Sequence, residues 1–189
     1  MKKNLVKWIN KLYTLIHQSI YFWFSILTKG FVQTSFDNYV EEGKNEKKYK
    51  MLYDKALSFV WFILLVNIIL ASTYYVTVNQ PLLNFLTYIC LLVFIVITVF
   101  ISWLSYLRGN LNNNSDMETT ILAFHSMVRF WSISLSLALF IFISIIIGYS
   151  NLIVLICILP GIYFQLSKLL MERFIEKIKE IQTLLNTKY

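Results

Sequence analysis

The longest apolar stretch of the chain covers residues 56–107, where 52 consecutive positions carry no Asp, Glu, Lys or Arg. A membrane-spanning helix needs about 20 such residues, so this stretch predicts two helices with a turn between them. Asn79 favours a turn, and Pro81, which lacks a backbone N–H, can begin a helix. We therefore predict transmembrane helices at residues 56–77 and 82–107.

A second uncharged stretch covers the 38 residues 130–167 and contains turn-forming residues at 148–151. It predicts transmembrane helices at residues 129–148 and 151–171. Pro160 and Gly161 interrupt the last helix. We predict a packing kink there, since Gly and Pro are common in membrane helices. The alternative is a broken helix whose backbone carbonyls bind a transported ligand.

The N-terminal uncharged stretch, residues 12–28, is shorter and contains polar residues such as His17 and Gln18. It predicts a weaker membrane helix within residues 12–42. This helix either spans fully or forms a broken hairpin with residues 31–40 that turns at Lys29 and Gly30. The hairpin is preferred. A cleaved signal peptide needs small residues at its cleavage site, but the first alanine of the chain is Ala56. We therefore predict that this helix is not a cleaved signal peptide.

The C-terminal segment predicts an amphipathic helix at residues 172–187 that continues the last span into the cytoplasm. Its apolar positions recur every three or four residues and form a candidate partner contact: Leu170, Phe174, Ile178, Ile181 and Leu185. Lipid headgroups or the chain's own loops are alternative targets. The acids Glu172, Glu176 and Glu180 are poorly suited to an anionic membrane surface, which favours a protein target.

Composition indicates the class of protein: 58% of residues are apolar, 14% are charged, and the mean hydropathy is +0.63. Soluble domains carry about 25% charged residues. The predicted fold is therefore all-α. It is a single membrane domain, residues 1–189, built as a polytopic helical bundle with four long transmembrane helices, the weaker N-terminal helix or hairpin, and the C-terminal helix.

The distribution of basic residues predicts the topology, because cytoplasmic loops of membrane proteins carry the excess of Lys and Arg. A fully spanning N-terminal helix places 13 of the 17 basic residues inside, and the hairpin gives a split of about 17 inside to none outside. Both arrangements leave residues 108–130 and the C-terminus in the cytoplasm.

Residues 108–130 hold the most varied polar chemistry, including His125 and an Asn-x-Ser pattern at 113–115. A cytoplasmic loop is not glycosylated, so the asparagines predict a turn before a short helix that opens at Asp116. Neither His17 nor His125 has ligand residues at metal-binding spacing. We predict no catalytic, cofactor or metal site and no nucleic-acid binding. We also predict that His125 lies at the membrane interface.

Three amides lie within the apolar stretches and are candidate intramembrane polar contacts: Asn67, Asn84 and Gln165. An amide in a membrane helix forms hydrogen bonds with a neighbouring helix more favourably than it faces lipid. These residues therefore indicate interior faces of the bundle or a partner surface.

The order of segments resembles the YesL-like family of small bacterial membrane proteins, a domain of unknown function. The similarity begins with an N-terminal helix broken at ILTKGFVQTSFDNYV and a lysine-rich link into ALSFVWFILLV. It continues through a second span that ends in WLSYLRGN, the pre-span helix METTILAFHSMVRFWSISL and a last span that runs through YFQLSKLLMERFIEK. The resemblance implies a bacterial cell membrane and an association with carbohydrate-uptake systems.

Together these features predict an accessory or assembly subunit of a membrane complex, linked to a bacterial carbohydrate importer. The expected partners are the lipid bilayer and either sugar ABC-transporter subunits or further copies of the chain. An independent transporter or channel is the alternative, followed by a membrane enzyme.

Overall fold

A computed structural model describes residues 2–29, 52–78, 81–110, 116–174 and 176–177. Within these ranges the chain is helical and has no strand, which confirms the all-α prediction. The helices are α1 (Lys2–Lys29), α2 (Leu52–Val78), α3 (Pro81–Asn110), α4 (Asp116–Arg129), α5 (Trp131–Ser150), α6 (Leu152–Cys157) and α7 (Leu159–Glu172).

The helix ends follow local chemistry. The first predicted turn lies between the end of α2 at Val78 and the start of α3 at Pro81. Asn151 then begins α6, because its side chain accepts hydrogen bonds from the amides of Ile153 and Val154 at 3.1 and 3.3 Å.

The helix expected at residues 151–171 is divided into α6 and α7 at Ile158. Pro160 occupies the first turn of α7. Its ring has no N–H and would collide with the carbonyl of Ile156, four residues earlier. The proline therefore interrupts the helix at Ile158, next to the predicted kink, while the backbone bonds from Ile158 to Val154 and from Ile162 to Ile158 are kept.

Helix α3 lies at the centre of the structure and packs against α2, α4, α5 and α7. Residues 101–108 are all buried, and Trp103, Leu104 and Leu107 are completely inaccessible. Arg108, expected in a loop, belongs to this buried segment because α3 continues past the predicted end at 107. The Asn110 amide supports the last turn by donating to the carbonyl of Tyr106 at 2.8 Å.

Two helical segments in the described ranges are long and apolar enough to cross a membrane, Asn84–Arg108 and Trp131–Gly148. Within an apolar 18-residue stretch of each segment, only 28% and 33% of the residues are buried, whereas the core helix of a soluble protein is mostly buried. Large apolar side chains such as Phe85 and Leu139 face outward. A shorter apolar helix covers Ala56–Leu70 within α2.

The contacts between helices define their directions. Trp61 of α2 meets Thr98 of α3, and each lies 17 residues from the adjoining helix ends at Val78 and Pro81, so these neighbours are antiparallel. The C-terminal half of α3 contacts the start of α5 through Trp103 and Ser134. Phe174, just after α7, packs on Phe130, just before α5. The C-terminus of α3, the start of α2 and the C-terminus of α7 therefore lie at the same end of the bundle, which we call the C-terminal end.

Helix α1 runs antiparallel to α6 and α7. Three hydrogen-bonded pairs show this direction, because the partner number falls as the α1 number rises: Gln18 with Gln165, Ser19 with Gly161, and Trp23 with Ile156. Helix α1 thus starts at the C-terminal end of the bundle and finishes at the opposite end. The proposed returning limb of the hairpin, residues 31–40, lies outside the described residues.

Candidate functional site

Helix α1 covers the break between α6 and α7 and forms three hydrogen bonds with these helices. Because Pro160 has no N–H, the carbonyl of Ile156 lacks the donor that a continuous helix would provide. The indole Nε1 of Trp23 donates to this carbonyl at 3.1 Å. A side chain of α1 thus replaces the missing backbone bond.

Ser19 satisfies a second backbone group at the break. The amide of Gly161 donates to Ser19 Oγ at 2.9 Å, and Ser19 Oγ donates to the carbonyl of Leu15 at 2.9 Å. Ser19 is completely buried. A single hydroxyl therefore links the backbone of α1 to the first turn of α7, one of the helix ends where donors lack a partner within their own helix.

Gly161 allows this close approach because it has no side chain. A Cβ atom at this position would lie 2.5 Å from the carbonyl oxygen of Leu15 and 3.0 Å from Ser19 Oγ. The first of these neighbours is backbone and cannot move without shifting α1. Gly161 therefore sets the distance between α1 and α7.

Aromatic and amide contacts flank the break. The ring of Phe22 packs edge-on against that of Phe164, with centroids 5.3 Å apart. Gln165 Nε2 donates to Gln18 Oε1 at 3.2 Å at an exposed position. The predicted polar residue Gln165 thus contacts another helix, α1.

A second set of polar contacts crosses the buried interior and joins α2, α3 and α7. Trp61 Nε1 donates to Thr98 Oγ1 at 2.9 Å, and this hydroxyl donates to the carbonyl of Phe94 at 2.7 Å. Ser102 Oγ donates its one hydrogen to the Thr98 carbonyl at 2.9 Å. The Tyr163 hydroxyl, 2.7 Å away, is therefore the donor in its bond with Ser102 Oγ. These bonds specify how the three helices pack.

The remaining predicted amides have different surroundings. Asn67 is exposed on α2, and its Nδ2 donates to the Ile63 carbonyl of its own helix at 3.3 Å. Asn84 is half-buried near the start of α3. Asn67 therefore faces outward, where a partner or lipid would meet it.

The predicted partner contact at the C-terminus, which we call the C-terminal stripe, lies partly within and partly outside the described residues. Leu170 and Phe174 are half-buried and pack against the chain's own core, with the Phe174 ring 5.1 Å from that of Phe130. Helix α7 ends at Glu172, and the Phe174 amide donates to the carbonyl of Met171 in a turn. Ile178, Ile181 and Leu185 lie outside the described residues, as does most of the predicted 172–187 helix.

The titratable candidates are dispersed over the structure. His125 is exposed on α4, which covers the short helix predicted there, and His17 is exposed on α1 with its ring stacked 6.1 Å from Tyr13. Cys90 and Cys157 are half-buried free thiols. Among the described residues, no group of three or more His, Cys, Asp or Glu side chains could hold a metal ion.

Ser19, Trp23, Ser102 and Tyr163 were not singled out from the sequence. Two signals point to them. Pro160 in an apolar helix frees the carbonyl four residues earlier, which then requires a donor from another element. Thr98 and Ser102 are four residues apart and therefore lie on one face of α3.

No protein-family model matches this chain, and neither a curated protein nor a solved structure matches it.

Proposed function

We propose that the protein is an accessory or assembly subunit of a bacterial membrane complex, crossing the bilayer with α2, α3, α5 and the α6–α7 pair. The outward-facing apolar side chains on these helices support this arrangement, because such side chains are stable when lipid covers them. Phe59, Phe85, Leu139 and Ile153 are 53–73% exposed in the isolated chain.

The observation that carries the proposal is the α1 contact at the broken helix. In transporters with broken helices, free backbone groups at the break bind the substrate or the coupling ion. Here Trp23 occupies the Ile156 carbonyl, and Ser19 occupies the Gly161 amide. These two backbone groups already have partners within the chain, which supports a structural component over a transporter that would use them to bind its substrate.

The topology that we propose places both termini in the cytoplasm. The N-terminal half of α1 carries Lys2, Lys3, Lys7 and Lys11 at the same end of the bundle as Arg108. Positive charge collects on the cytoplasmic side. The antiparallel packing of α1 on α7 supports the hairpin arrangement, since a fully spanning helix with an external N-terminus would run parallel to α7.

The partner class comes from the resemblance to the YesL-like family, which implies a sugar importer of the bacterial cell membrane. The apolar positions Ile178, Ile181 and Leu185 are the proposed contact with importer subunits. Leu170 and Phe174 anchor this segment to the chain's own core. A complex with further copies of the chain is the other arrangement.

Two features favour an independent transporter as the second candidate. The last helix is broken, as in several transporter folds. In addition, the buried hydroxyls of Ser58, Ser105 and Ser144 make no hydrogen bond within the described residues. Buried hydroxyls of this kind suit a polar path that opens in another conformation.

Purification in a mild detergent separates these candidates. The tagged chain and an Ile178→Asp variant are extracted from native membranes, and the co-purifying proteins are identified by mass spectrometry. An accessory subunit brings importer subunits in fixed proportion, and the variant loses them. A lone, monodisperse chain that takes up sugar in liposomes contradicts the accessory role and supports the transporter.

A further inference from the structure

A groove lies between the N-terminal half of α1 and α7. Its volume is about 550 Å³, and it is lined by Val6, Lys7, Asn10, Lys11, Thr14 and Gln165. Hydrogen bonds of Gln18 and Ser19 hold α1 against α7. The groove lies on the N-terminal side of these residues, toward the C-terminal end of the bundle.

The groove has the chemistry of an anion site. Lys7 and Lys11 are one turn apart and thus share a face of α1, and Thr14 follows on the same face. Asn10 and Gln165 add amide groups. The lining has two cations and no carboxylate, which favours a ligand with a phosphate group.

Apolar side chains lie beside these lysines and remain uncovered. Trp8, Ile9 and Leu12 are 72%, 56% and 50% exposed. The Lys11 ammonium lies 5.8 Å from the centre of the Trp8 ring, so the cationic and apolar surfaces are continuous. A ligand that covers both surfaces must itself be amphipathic.

The depth of the groove matches the headgroup region of a bilayer. Ser19 contacts Gly161, close to the midpoint of the α6–α7 pair. Lys7 is 12 residues from Ser19, or about 18 Å along the helix, whereas half of the hydrocarbon core is about 15 Å thick. Lys7 therefore lies at the depth of the lipid phosphates. Lys11 is 8 residues or about 12 Å from Ser19, just inside the hydrocarbon boundary, and its long side chain can extend to the phosphates.

We propose that this groove binds an anionic phospholipid of the cytoplasmic leaflet. Lys7 and Lys11 hold the phosphate, and the acyl chains lie along Trp8 and Leu12. The Asn10 amide and the second Nε2 hydrogen of Gln165 donate to the remaining headgroup oxygens. The Thr14 hydroxyl already donates to the Asn10 carbonyl at 2.9 Å, so it can only accept from a headgroup hydroxyl. The proposal rests on the membrane role proposed above. Bound lipid fills the space between α1 and α7 and steadies the N-terminal half of α1.

The test is a titration of the purified full-length chain, in neutral detergent, with short-chain fluorescent phosphatidylglycerol and phosphatidylcholine. The Lys7→Gln/Lys11→Gln variant is compared with Lys168→Gln/Lys177→Gln, which removes the same charge from exposed positions outside the groove. Each lysine beside an anionic lipid contributes about fivefold in affinity. We expect the groove variant to bind phosphatidylglycerol about 25-fold more weakly, and the control within about threefold of the natural chain.

Three further measurements complete the test. Lys7→Arg/Lys11→Arg is expected to retain phosphatidylglycerol binding, and circular dichroism is expected to show the same helix content in all variants. Inorganic phosphate that competes as well as the lipid indicates a free-anion site and overturns the proposal. An equal loss of affinity in the control variant indicates general charge attraction and also overturns it.

Failure of the membrane role is detected separately. If alkaline carbonate releases the chain from native membranes, the protein is not an integral membrane component, and the proposed function fails whatever the lipid titration shows.

Discussion

The amide of Gly161 donates to the hydroxyl of Ser19 at 2.9 Å, although the two residues are 142 positions apart in the sequence. This bond joins α1 to α7 beside the point where Pro160 breaks the last helix. Trp23 completes the joint by donating to the Ile156 carbonyl. The packing of α1 against α6 and α7 therefore depends on two backbone groups, the Ile156 carbonyl and the Gly161 amide, that have no partner within their own helix.

Gly161→Ala should separate α1 from α7. The added methyl group would meet the Leu15 carbonyl oxygen at 2.5 Å, and overpacking of this kind costs about 1–3 kcal/mol. We expect a lower thermal unfolding midpoint in detergent. Gly148→Ala is the comparison, because the three nearest neighbours of its methyl group are side-chain atoms of Leu155 at 2.7–2.9 Å, which can move by a rotamer change, whereas the nearest neighbour at Gly161 is backbone. An equal effect of the two changes would show that Gly161 does not set the spacing of these helices.

Ser19→Ala should destabilise the chain by about 1–2 kcal/mol, since the buried Gly161 amide loses its acceptor. Ser136→Ala is the matched change, because the Ser136 hydroxyl is exposed and bonds only to the Ser132 carbonyl of its own helix. Thermal unfolding and protease sensitivity of α1 measure both variants. Identical behaviour would contradict the role of Ser19 as a link between helices.

Reporter fusions test the topology. A reporter fused before Met1 and one inserted after Asn113 are both expected to give cytoplasmic signal, because α1 runs antiparallel to α7 from the C-terminal end of the bundle. An external signal at Met1, with cytoplasmic signal at Asn113, would mean that α1 spans in the opposite direction.

The C-terminal stripe should separate into two functions. Phe174→Ala is expected to lower stability by about 1–3 kcal/mol, because the ring packs against Phe130 at the start of α5. Ile178→Asp is expected to leave stability unchanged and to release the importer subunits that we propose as partners. The double change to Asp at both positions should do both. Retention of every partner and of full stability in the double variant would exclude the stripe as an interaction surface.

His125→Ala is expected to change stability by less than about 0.5 kcal/mol, because the imidazole is exposed on α4. Protein level, unfolding midpoint and any growth phenotype on sugars measure the effect. Complete loss of a phenotype at normal protein level would support the enzyme hypothesis for residues 108–130.

The sequence by itself determined the helical class and most of the helix ends. The uncharged stretches, Pro81 and the cap residue Asn151 act locally, because a helix begins or ends where nearby side chains supply or remove backbone hydrogen bonds. Such effects require no knowledge of the rest of the fold. The spacing of Leu170 and Phe174 also predicted that they lie on the same side, and both pack against the core although α7 ends at Glu172.

Only the tertiary structure decided which apolar residues face protein and which face outward. Lipid and protein interiors are both apolar, so hydrophobicity does not distinguish the buried segment 101–108 of α3 from the exposed face that includes Phe85. Likewise, Pro160 signals that the Ile156 carbonyl needs a donor, but the donor, Trp23, lies far away in the sequence. The identity of such a partner depends on how distant helices pack, and the direction of α1 follows from that packing.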